Sequence, residues 1–99
     1  MRVKLTSTNG YVYFKLSGTL RKEDYPKLRQ VIQNFLSQDT RKIILDLNAV
    51  HHLHYIWATY LDELYNYAKS LGYELQLHCR NGYLINILRF GGYVHPIYP

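Results

Sequence analysis

Residues 42–71 constrain the fold more than any other part of this sequence. They read KIILDLNAV, then HHLHY, then IWATYLDELYNYAKSL. A short apolar run rich in β-branched residues ends in Asp46-Leu47-Asn48, a turn signal. A loop with His51, His52 and His54 follows, and then a stretch with helical periodicity. Strand, loop and amphipathic helix in that order form the first half of a βαβ unit. Sheets of this kind meet ligands and partners at the loops on the carboxyl ends of their strands. The expected working surface is therefore the loop Asn48–Tyr55 with the first turns of the helix behind it.

The flanking sequence extends this unit in both directions. Arg2–Thr6 alternates, with Val3 and Leu5 facing inward. Asn9-Gly10 is a strong hairpin cue, and Tyr11–Leu16 reads as the second strand before Ser17–Leu20 breaks it. Asp24 can cap a helix whose first turn accommodates Pro26. Leu28, Val31, Ile32, Phe35 and Leu36 then make one apolar helical face, followed by a polar connector, Ser37–Arg41. The next helix is expected over Tyr55–Ser70, stopping at Gly72, with Trp57, Leu61, Leu64, Tyr65 and Ala68 on its core face. Glu74–His78 alternates as a strand, Asn81-Gly82 turns the chain, and Leu84–Leu88 suggests a short helix. Tyr93–Ile97 suggests a last strand, which Pro96 places at an edge. The order β-β-α-β-α-β-α-(β) predicts one α/β domain over residues 1–99, with a mixed sheet of about four to five strands and about three helices.

Size and composition narrow the function. A chain of 99 residues supports one core without staples. No apolar run approaches the ~18 residues of a membrane span, and the N-terminus lacks the apolar segment of a signal peptide. Cys79 is the only cysteine, so a reducing, cytoplasmic setting is expected. The formal net charge of +5 raises the prospect of an acidic partner. The lysines and arginines fall in separate elements, however, so nucleic acid is an alternative and not the expected partner. Eleven tyrosines stand against 3 phenylalanines. Tyrosine suits surfaces that become half-buried on contact.

Chemistry finds little support. His-His-x-His is not a zinc spacing, and no metal or other cofactor is expected. Cys79 lacks an evident base and orienting group, so no nucleophilic catalysis is expected. Gly91-Gly92 follows a helix, the wrong polarity for a phosphate loop. Asp62 and Glu63 are adjacent on a helix and do not share a face. Ile56, Tyr60, Glu63 and Tyr67, at i, i+4, i+7 and i+11, form a second stripe beside the core face of the long helix. An exposed aromatic stripe of this kind is what a protein interface uses for anchors.

The chain resembles the STAS domain, the fold of bacterial anti-sigma factor antagonists. GYVYFKLSGTL (10–20) is similar to the opening hairpin of that family, KIILDLNAV (42–50) to its I-L-D-L-S-x-V strand and turn, and LYNYAKSLGYELQL (64–77) to its step from second helix to fourth strand. The resemblance covers residues 2 to about 97. It implies a non-enzymatic module of signal transduction and transcription regulation. The partner it implies is an anti-sigma factor, a stress-complex protein or a transporter subunit. Kinase-controlled members carry D-S-S-G or D-S-T-G at the start of the second helix. The matching positions here are His54, Tyr55, Ile56 and Trp57, so the acceptor position is Ile56, which has no hydroxyl, and no phospho-switch is expected. The family's final helix has no counterpart before Pro99. Tyr93, Val94, Ile97 and Tyr98 are then expected to lie uncovered and to favour a homodimer. The expected partner surface is Asn48, His51, His52, His54, Tyr55, Ile56, Tyr60, Glu63 and Tyr67. The alternatives are a small STAS subunit docking in a lipid or anion transport assembly, and a basic nucleic-acid-binding domain.

Overall fold

The computed structural model describes residues 1–37 and 39–99; Gln38, in the expected connector Ser37–Arg41, lies outside the described residues. Strands β1 (Arg2–Thr8) and β2 (Tyr11–Leu20) form an antiparallel hairpin. Its two-residue turn is Asn9-Gly10, with φ of 26° and 87°. A turn with positive φ at both central positions matches the twist of its strands, which is why Asn-Gly is favoured there. Helix α1 (Asp24–Phe35), β3 (Lys42–Leu53), α2 (Trp57–Ser70), β4 (Glu74–His78), α3 (Gly82–Phe90) and β5 (Ile97–Tyr98) follow.

The five strands lie in sequence order, β1-β2-β3-β4-β5, and all pairs after the hairpin are parallel. Right-handed crossovers that always step the same way place every helix on one side of the sheet. Phe14, Leu16, Leu45, Leu47 and Leu77 point to that side and are fully buried, with Leu28 of α1, Trp57, Leu61 and Leu64 of α2, and Leu84 and Leu88 of α3 packed over them. Among the described residues, no helix covers the opposite face. Its register rows run Thr8–Tyr11–Lys42–Glu74, Thr6–Tyr13–Ile44–Gln76 and Lys4–Lys15–Asp46–His78–Tyr98.

Several expectations are corrected. Ser17–Leu20 does not break β2: the strand continues, absorbing two register shifts against β3 at Lys15/Ser17 and Gly18/Thr19. The histidine loop is largely strand. With β2 extended alongside, β3 stays paired as far as Thr19↔His52 and Leu20↔Leu53, and the His54 N–H donates to the Leu20 carbonyl at 3.0 Å. Asp24 is inside the first turn of α1 and does not cap it. Its carboxylate instead accepts the Arg21 N–H at 2.8 Å, tying down the approach to the helix. On α1, Leu28 and Ile32 are buried but Phe35 is half exposed. Asn81 caps α3, accepting the N–H groups of Tyr83 and Leu84.

Helices α2 and α3 end alike. The N–H of Gly72 bonds Lys69 O and that of Tyr73 bonds Ala68 O; the N–H of Gly92 bonds Arg89 O and that of Tyr93 bonds Leu88 O. This is the Schellman arrangement, which satisfies the last carbonyls and turns the chain back toward the sheet. At α3 it drives Tyr93 into the core, 1% exposed, so Tyr93 is not part of an uncovered patch. Val94 is exposed and Ile97 half-buried.

Candidate functional site

The loops and helix starts at the carboxyl ends of β3 and β4 gather the site. Asn48 accepts the Arg80 N–H through its side-chain oxygen at 2.8 Å, latching β3 to the turn that leads into α3. His51 and His52 are exposed on the last turns of β3, and His52 Nδ1 shares a 2.8 Å hydrogen bond with the Tyr83 hydroxyl of α3. His54 Nδ1 accepts the Ile56 N–H at 3.1 Å, and its ring stacks on Tyr55. Tyr55 itself is 68% exposed. Among the described residues, no three His, Cys, Asp or Glu side chains are grouped as a metal site requires. His78 bonds Gln76, and His95 bonds Asp62 at 2.6 Å while stacking on Tyr65. The Cys79 thiol is buried, which pushes its pKa up and keeps it protonated and inert.

The helix stripe is not free. Tyr60 stacks on Tyr25 of α1, Glu63 pairs with Arg29 at 2.6 Å, and the Arg29 guanidinium lies 4.2 Å over the Tyr67 ring. Helix α1 partners the stripe, so the expectation of an unpartnered row is corrected for these three residues; Tyr60 and Tyr67 are half-buried against α1, while Glu63 faces solvent as expected. The periodicity places these residues on one row; which helix neighbours that row follows only from the register of the sheet. Ile56, the first of the four, stands apart at the N-cap of α2, half-buried and making no side-chain cap bond.

What the sequence did not single out is the outer face of α3. Tyr83, Asn86, Ile87, Phe90 and Gly91 join Tyr55 in lining an apolar groove of about 450 Å³. Phe90 is 98% exposed and Tyr83 is 55% exposed. The groove exists because α3 meets α2 closely at Gly91, where an added Cβ would stand 2.4 Å from the Ala58 Cβ. One signal was available. Leu84 and Leu88 are the buried pair of a nine-residue helix, so the additional Tyr83, Ile87 and Phe90 exceed what one buried face can hold.

The groove is built from segments of the chain that carry no acid. Segments 47–61 and 75–99 contain no Asp or Glu, yet carry all 5 histidines with Arg80 and Arg89. The N-terminus of α2 opens beside Tyr55 at this groove, adding partial positive charge. A second, more polar cleft of about 280 Å³ lies behind His52 and His54, against Thr19–Glu23.

No helix among the described residues is long and apolar enough to cross a membrane. No curated protein matches the sequence. Among solved structures, the fold is similar to the anti-sigma factor antagonist SpoIIAA in its unphosphorylated form, with a TM-score of 0.77 at 15% identity over 93% of this chain and 82% of that one. It is similar to an anti-sigma factor antagonist from Mycobacterium paratuberculosis, with a TM-score of 0.75 at 18% identity over 99% and 85%. It is also similar to the murine anion transporter Slc26a9, with a TM-score of 0.73 at 19% identity, covering 88% of this chain but 14% of that one. These likenesses are of fold. The sequence model of the STAS domain matches residues 2–99, and the chain belongs to the STAS domain family.

Proposed function

We infer that this protein is a non-enzymatic protein-docking module of the STAS type, working in the manner of an anti-sigma factor antagonist or stress-complex scaffold. The observation that carries this reading is the exposed aromatic groove between the start of α2 and α3, with Phe90 98% and Tyr55 68% exposed. Large aromatic side chains held open on rigid elements are the usual anchors of protein interfaces. Tyr55, Tyr83 and Phe90 line it, His52 and His54 adjoin it through Tyr83 and Tyr55, and the proposed surface extends to Asn48, His51 and Ile56 at the same end of β3. Tyr60, Glu63 and Tyr67 support it from behind by fixing α2 on α1. The lack of acids in the segments that build the groove favours a partner segment that brings an apolar side chain flanked by carboxylates.

Docking here is constitutive. Ile56 occupies the position where kinase-controlled relatives carry their acceptor hydroxyl, and its side chain offers nothing to phosphorylate. A phosphate there would place roughly two negative charges at the start of α2. A second reading, docking on a transporter or its ATPase, uses the same surface and draws on the fold likeness to Slc26a9. Capture from native lysate with immobilised protein, with and without nuclease, tests both. A discrete protein retained by the wild type and lost by Tyr55→Ala/Phe90→Asp supports docking, and its identity separates the two readings. Retention by both forms contradicts the assignment.

A further inference from the structure

The open face of the sheet is both basic and aromatic. In sequence the basic residues are scattered, but the strand register gathers Arg2, Lys4, Lys15 and Lys42 onto the side without helices. Lys4 and Lys15 stand directly opposite each other across β1 and β2, with Arg2 one step further along the same face. Like charges so placed oppose strand pairing, and a bound anion would relieve them. Among the described residues, Arg2, Lys4 and Lys15 form no ion pair. The two acids of this face are already engaged. Asp46 accepts from the Tyr13 hydroxyl and the Asn48 N–H, and Glu74 faces Lys42 at 3.9 Å and bonds Gln76.

Aromatic rings cross the same face. Tyr11 is 48% exposed, with the Lys42 ammonium 5.1 Å from its ring centre. The Tyr13 ring is held in place by its bond to Asp46. Beyond it, His78 and Tyr98 pair across β4 and β5 with ring centres 5.6 Å apart. Rings interleaved with cations on a sheet combine base stacking with phosphate neutralisation, whereas a membrane-inserting surface would need exposed aliphatic side chains, and among the described residues the face offers only the half-buried Ile44.

We propose that the open sheet face binds single-stranded nucleic acid, stacking about two or three bases on Tyr11, Tyr13 and the His78–Tyr98 pair, with Arg2, Lys4 and Lys15 on the backbone phosphates. This site lies on the side of the sheet away from the groove and does not depend on the protein-docking reading.

Fluorescence anisotropy with labelled oligouridylate and oligodeoxythymidylate of about a dozen nucleotides tests it. Binding is expected with a dissociation constant of about 10⁻⁴–10⁻⁶ M at low salt, and a log–log salt slope of about −2 to −3. Lys4→Glu/Lys15→Glu should weaken it at least about tenfold, and Tyr11→Ala about fivefold or more, while Phe90→Asp leaves it unchanged. Circular dichroism confirms that each variant is folded, and Lys4→Gln/Lys15→Gln replaces any charge-reversal variant that is not. No binding at low salt, binding insensitive to the lysine and Tyr11 substitutions, or binding to phosphatidylserine vesicles without binding to either oligonucleotide would each overturn the proposal.

Discussion

Tyr60 of α2 lies flat on Tyr25 of α1, ring centres 4.4 Å apart and planes within 6° of parallel. Beside this stack, Trp57 packs edge-on to both rings and donates its indole N–H to the Arg21 carbonyl at 3.0 Å. The contact decides how α2 is read. A row of residues that looks like an interface in the sequence is the seam between two helices of one domain. Tyr60→Ala should therefore act on stability, costing about 2–4 kcal/mol through lost burial and lost stacking. Glu63→Ala should cost under about 1 kcal/mol, because its ion pair with Arg29 is solvated. Urea denaturation of both variants checks this; equal effects would contradict it.

Gly91 has an ordinary helical backbone, φ −78°, so its role is spatial. A Cβ there would collide with Ala58 at 2.4 Å and crowd the Tyr55 carbonyl at 3.1 Å. Gly91→Ala should destabilise by about 1–3 kcal/mol through overpacking. Adding Ala58→Gly should recover part of the loss, apart from the roughly 1 kcal/mol that glycine costs inside a helix. A double-mutant cycle with no coupling would show that α3 does not sit on α2 this closely.

The sequence made the fold legible because local signals agreed with one another. Asn9-Gly10, the Ile43–Leu47 run, Gly72 and the alternation of Glu74–His78 each specify an element without help from the rest of the chain. What it hid depends on neighbours. His51 and His52 read as loop because nothing local reveals that β2 runs on beside them. Tyr60, Glu63 and Tyr67 read as unpartnered because their partners come from a helix more than thirty residues away. Tyr83 and Phe90 are more than one buried face of a short apolar helix can hold, but which residues stay outside depends on how α3 meets α2 and the sheet. The basic residues looked scattered because their common face appears only when register is known.

The Tyr13–Asp46 bond gives two pH signatures. The bond to Asp46, aided by burial, pushes the Tyr13 phenol from 10.0 up to about 12. The fold favours the neutral phenol, so this contribution is complete below about pH 10 and is lost as pH rises toward 12. Burial alone would raise Asp46, but the bonds from Tyr13 and the Asn48 N–H, with Lys15 and His78 nearby, hold it below the usual carboxylate range. Its contribution is therefore complete above about pH 4 and is lost as pH falls through that lowered value. The phenolate absorbance of wild type minus Tyr13→Phe should show a step near pH 12, and Tyr13→Phe should move the acid-unfolding midpoint to higher pH. A step near pH 10 would contradict the bond.

Protein docking through the Tyr55–Phe90 groove is the central claim, and the affinity of the captured partner for wild type and Phe90→Asp tests it most directly. Phe90 is 98% exposed, so its replacement leaves the core intact, and circular dichroism should be unchanged. The predicted result is a loss of about thirtyfold or more, the effect of removing an interface anchor. Equal affinity for the two folded proteins would contradict the account.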